Sequence, residues 1–130
     1  MRTQNQKLLA LAHSNLQIGL RLTETLPAYV GNIECYKANV LASLSVVLET
    51  LSGIFCELSK HQNVNDAEVG KKSVFYQKLR PDKLALDIKA FLCECERVLA
   101  SSSGSSVKTV PFTLMYTRAQ TLSFELRGKK

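Results

Sequence analysis

A seven-residue repeat of apolar side chains runs from Ile33 to Leu58 and constrains this chain more than any other feature. Ile33, Val40, Val47 and Ile54 form one column, and Leu44, Leu51 and Leu58 form a second, four residues behind. Leu41, Leu48 and Phe55 make a third column beside them. A strand changes face at every residue, so only a helix keeps these columns together, as one broad apolar face. Between Ile33 and Leu58 only Glu34, Lys37, Glu49 and Glu57 are charged, and the remaining face is small: Ala38, Ala42, Ser45, Ser52 and Gly53. Such a helix is expected to be wrapped by others. With Asn32 as its cap, the predicted helix covers residues 32–60 and is roughly 40 Å long at 1.5 Å per residue.

Three further segments can supply the wrapping. In residues 4–26, Leu8, Leu11, Ala12, Leu16, Gly19, Leu22 and Leu26 recur near helical spacing until Pro27 stops the run. Asn15, set among them, could act as a register device in a helical seam or simply sit at a partly exposed position. In residues 82–100, Pro81 and Asp82 mark the start, and Leu84, Ile88, Phe91, Cys95 and Val98 form an inward stripe broadened by Leu92 and Leu99. The pairs Lys83–Asp87 and Glu94–Arg97 assign the opposite side to water, so Asp87 reads as a solvated carboxylate. In residues 110–127, Phe112, Met115, Ala119, Leu122 and Leu126 keep a three-four spacing, with Gly128 where a helix should end. The alternative for residues 107–127 is a β-hairpin, because Leu122 to Leu126 also alternates.

The expected fold is therefore all-α: an antiparallel bundle of three long helices plus a fourth, C-terminal helix. The chain has 130 residues, 45% of them hydrophobic, enough to bury one core. Residues 1–100 form the bundle core in this reading, and residues 101–109 a Ser/Gly-rich linker. Residues 110–130 form a basic helix packed on the bundle. Residues 66–79 make a short insert. The formal charge is +6, and the last 30 residues hold five basic groups and one acidic group. The excess is thus concentrated at the C-terminal end rather than along a fold-wide nucleic-acid face.

Catalytic patterns are weak. Cys93 and Cys95 stand two apart on a helix, which turns their sulfurs about 200° from one another, and His13 and His61 belong to different elements. No nucleophile elbow or glycine-rich phosphate loop is present. No enzyme activity, metal or cofactor is expected. With few prolines and glycines to shape a stapled fold, Cys35, Cys56, Cys93 and Cys95 read as free thiols of a cytoplasmic, alternatively nuclear, protein without a transmembrane segment.

Binding is the better expectation. The unequal helix lengths leave part of the second helix without cover, and each uncovered Leu or Ile forgoes about 1.5–3 kcal/mol of burial. A protein partner or a second copy would then lie along an apolar groove containing Leu41, Val46, Leu48 and Phe55. The resulting function is a non-enzymatic interaction module: an assembly factor, a small chaperone or a structural subunit. The alternative is a nucleic-acid-associated regulator that uses Lys71, Lys72, Lys78 and Arg80 on phosphates and Phe75 and Tyr76 for stacking.

Overall fold

The computed structural model describes residues 4–24, 38–60, 78–80, 83–101 and 112–128. They form four helices: α1 (Gln4–Glu24), α2 (Ala38–Ser59), α3 (Leu84–Ser101) and α4 (Phe112–Arg127). The architecture is an all-α bundle, and the final segment is a helix rather than a hairpin. α2 is the central element. It packs most extensively on α4 and next on α1, while α3 closes the far side against α1 and α4.

The three columns of the heptad explain this placement. Leu44, Val47, Leu48, Leu51, Ile54, Phe55 and Leu58 are all buried, so all three columns enter the core. α4 meets them with Phe112, Met115, Ala119, Leu122 and Leu126, the five positions of its three-four repeat. The Phe55 and Phe112 rings stack with centroids 6.1 Å apart and planes 23° apart. Such a pair adds about 0.5–1.5 kcal/mol beyond the area it buries. α4 is thus a wall of the core and not an appendage. Its last turn closes through the Gly128 N–H, which donates to the Phe124 carbonyl at 3.2 Å.

α1 contributes Ala12 and Leu16, and α3 contributes Leu84, Ile88, Phe91, Leu92 and Cys95. The absence of a side chain at Gly19 sets how closely these helices approach. A Cβ there would stand 3.0 Å from Leu92 Cδ1 and 3.2 Å from Val47 Cγ1, so α1 lies against both α2 and α3 at this residue.

Where described, α2 spans 22 residues and α1 spans 21, while α3 and α4 span 18 and 16; residues 33–37 lie outside the described residues. One expectation changes. Asp87 is not solvated: its side chain is only 3% exposed. It stands three residues after Leu84 and four before Phe91, which puts it within the inward stripe of α3.

Candidate functional site

The expected groove residues separate according to the side of α2 they occupy. Leu48 and Phe55 have no exposed surface. They fill the space between α2 and its neighbours, which removes them from any docking face of the folded chain. Leu41 is half-buried against the same core. Val46 alone faces outward, 61% exposed. A wide apolar face does not reveal which of its edges stays open; here the edge beside α1 does.

On that edge a groove of about 370 Å³ is lined by Asn15 and Ile18 from α1 and by Ala42, Ser43, Val46 and Val47 from α2. Four large apolar side chains among the described residues are exposed: Leu11, Ile18, Val46 and Phe124. Ile18 and Val46 line the groove, and Leu11 lies one turn beyond Asn15 in the α1 row. The Asn15 side-chain amide donates to the Leu11 carbonyl at 2.9 Å, which holds this polar group along α1. Around the groove formal charge disappears. Residues 8–20 of α1 and 38–48 of α2 contain no Asp, Glu, Lys or Arg. Solvent-facing helix surfaces are ordinarily rich in these residues, whereas the centres of protein interfaces are depleted of them. Only His13, exposed on another side of α1, can ionise within the two stretches.

The basic–aromatic stretch is partly visible. Lys71, Lys72, Phe75 and Tyr76 lie outside the described residues, as does the linker beyond Ser101. Lys78 is exposed. Arg80 is engaged inside the molecule: its backbone N–H and its Nε each donate to Asp87 at 2.9 Å, and its Nη2 joins the same carboxylate. Arg118, one of the basic groups of the C-terminal segment, is 9% exposed. Burial lowers its pKa, nearby Asp87 raises it and Arg80 lowers it again. Arg127 pairs with Glu49 at 2.5 Å, tying the end of α4 to the middle of α2. Arg80, Arg118 and Arg127 therefore serve the fold first.

The cysteines follow the same division. Cys95 is buried and its thiol is pushed well above its ordinary range, first by desolvation and then by Glu94. Cys93 is exposed and Cys56 half-buried, all three being free thiols, while Cys35 lies outside the described residues. Among the described residues no group of three or more His, Cys, Asp or Glu could hold a metal ion. α2 is long and apolar enough to cross a membrane by length and composition, and seven of its 22 residues pack into the core.

Comparison with known protein families, curated proteins and solved structures gives no match. The residues themselves must carry the functional reading.

Proposed function

We propose that this protein is a non-enzymatic helical interaction module that receives a protein partner along the outer face of α1 and α2. The observation that carries this reading is the coincidence of exposed apolar side chains with missing charge. Leu11, Ile18 and Val46 are 53%, 50% and 61% exposed, on the two helices whose facing stretches hold no formal charge. Covering three such side chains is worth on the order of 2–5 kcal/mol from their apolar area. That figure lies near or below the cost of association, so a partner must also pack on the smaller groove residues. Ala42 and Ser43 allow that approach, because they project little above the α2 backbone.

The test uses the intact chain, immobilised, with Ile18→Asp and Val46→Asp compared against Phe124→Asp. Phe124 is 74% exposed on α4, away from the groove, and serves as the control for a generally sticky apolar side chain. The expected result is loss of partner capture for the two groove variants, with retention for Phe124→Asp and unchanged helical circular dichroism in all three. Equal capture by all variants would reject the groove.

A further inference from the structure

α1 and α2 run in the same chain direction along the groove. A Cβ on Gly19 would stand 3.2 Å from Val47 Cγ1. Asn15, one turn earlier in α1, lines the groove together with Ala42 and Ser43, one turn earlier in α2. Counted from the Gly19–Val47 contact, the uncharged residues 8–20 of α1 therefore lie beside the uncharged residues 38–48 of α2. The two stretches make one belt without formal charge, about 20 Å long at 1.5 Å per residue. Both ends of the belt are charged and exposed. Lys7 stands at one end, and Arg21 and Glu49 stand at the other.

The groove offers an occupant few hydrogen bonds. Its lining supplies two polar side chains, Asn15 and Ser43, and the Asn15 amide already donates to the Leu11 carbonyl at 2.9 Å. A strand laid along about 20 Å would bring about six residues, and the backbone N–H and C=O groups that it turned inwards would lack partners. Each such group costs about 1–3 kcal/mol when buried. A helix satisfies its own backbone and presents only side chains.

We infer that the occupant of the groove is an amphipathic helix of another protein, with an uncharged apolar stripe of about three and a half turns and an Asp or Glu at the end that lies over Lys7. This rests on the groove being a protein-binding surface, as proposed above. The charge pattern selects the occupant. A charge within the stripe would be desolvated against Leu11, Ile18 and Val46, where the belt supplies no counter-charge. At the Lys7 end the first turn of α1 holds no acidic residue, so Lys7 adds to the positive end of the helix dipole and favours an acidic group opposite. At the other end Arg21 and Glu49 have opposite signs and Glu49 pairs with Arg127, so no sign is selected there. The α1 stripe of a second copy does not meet this demand, because Lys7 and Arg21 at its ends are both basic.

Selection from a random-sequence peptide library displayed on phage, with the immobilised full chain as target, tests the inference. The expected sequences carry apolar residues at three-four spacing, no charge on that stripe and an acidic residue at one end, and a synthetic copy gains helical circular dichroism on binding. Ile18→Asp and Val46→Asp should abolish its binding, and Phe124→Asp should leave it unchanged. Lys7→Glu should weaken it about threefold or more, and exchanging the acidic residue of the peptide for Lys should restore binding to that variant. No enrichment over blank beads, sequences without an apolar helical stripe, or indifference to Lys7→Glu would overturn the inference. So would sedimentation of the full chain as a dimer that Val46→Asp dissociates, which would make a second copy the occupant. If selected peptides of another kind still require Ile18 and Val46, the groove stands and only the class of its occupant is wrong. If no binding depends on Ile18 or Val46, both readings fall.

Discussion

Removing the Asp87 carboxylate should cost more stability than any other single change of a charged side chain described here. Asp87 is 3% exposed, accepts from the Arg80 backbone and guanidinium, and lies close enough to Arg118 to raise its pKa. Removing one member of a buried ion pair generally costs about 3–5 kcal/mol, because the remaining charge stays desolvated. The Arg80 side chain is 47% exposed and can turn to water, so the lower end applies. Asp87→Ala is expected to lose about 3 kcal/mol. With a urea m-value of about 2 kcal/mol/M, this lowers the unfolding midpoint by about 1.5 M. Arg118→Met replaces a buried cation by an apolar chain of similar length and should cost less than about 1.5 kcal/mol. The double variant should be at least 1 kcal/mol more stable than the two single losses added together, since it no longer buries a lone guanidinium. Urea titrations followed by far-ultraviolet circular dichroism measure all three. A loss below about 0.5 kcal/mol for Asp87→Ala, or strict additivity in the double variant, would refute this electrostatic reasoning.

The two helical glycines should respond in opposite directions. Gly19→Ala pushes a methyl into Leu92 and Val47 and should destabilise by about 1–3 kcal/mol, whereas Gly53→Ala fills open space in an exposed helix and should stabilise the monomer by about 0.5–1 kcal/mol, both read from urea midpoints. Phe55→Ala, which empties the centre of the α2–α4 contact and breaks the stack with Phe112, should cost about 3–5 kcal/mol; a loss under 1 kcal/mol would mean that this ring is not enclosed. Thiol labelling of the native protein should modify Cys93 rapidly and Cys95 only on unfolding. Because the folded Cys95 pKa is raised, its protonated thiol contributes full stability below the unfolded thiol pKa and loses it as pH rises towards the folded one, so Cys95→Ser should flatten the alkaline limb of stability against pH.

The sequence pattern carried the elements much further than the surface. The five inward positions of α4 were readable because Phe112, Met115, Ala119, Leu122 and Leu126 satisfy helical spacing together, while the competing alternation would turn Ser123 outward. Ser123 is instead buried and accepts from Arg127 Nη2 at 3.2 Å. The interior of α2 was readable for the same reason. Its open edge was not: Leu48, Phe55 and Val46 are equally apolar, and only the positions of α1 and α4 decide which of them meets water. Asp87 was misread because its spacing from Lys83 suggests a surface pair. Its spacing from Leu84 and Phe91, which places it inside, was the stronger signal. Leu11 shows the converse error, an apolar residue of the α1 pattern left 53% exposed at the rim of the groove.

Photo-cross-linking from a benzophenone side chain at position 46 of the intact chain tests the α1–α2 docking face most directly, with the same probe at exposed position 113 of α4 as reference. A docking face there requires a discrete polypeptide adduct from position 46, whether with a second copy or another protein, and none from position 113. Equal adduct yields from the two positions, or none from position 46, would contradict it.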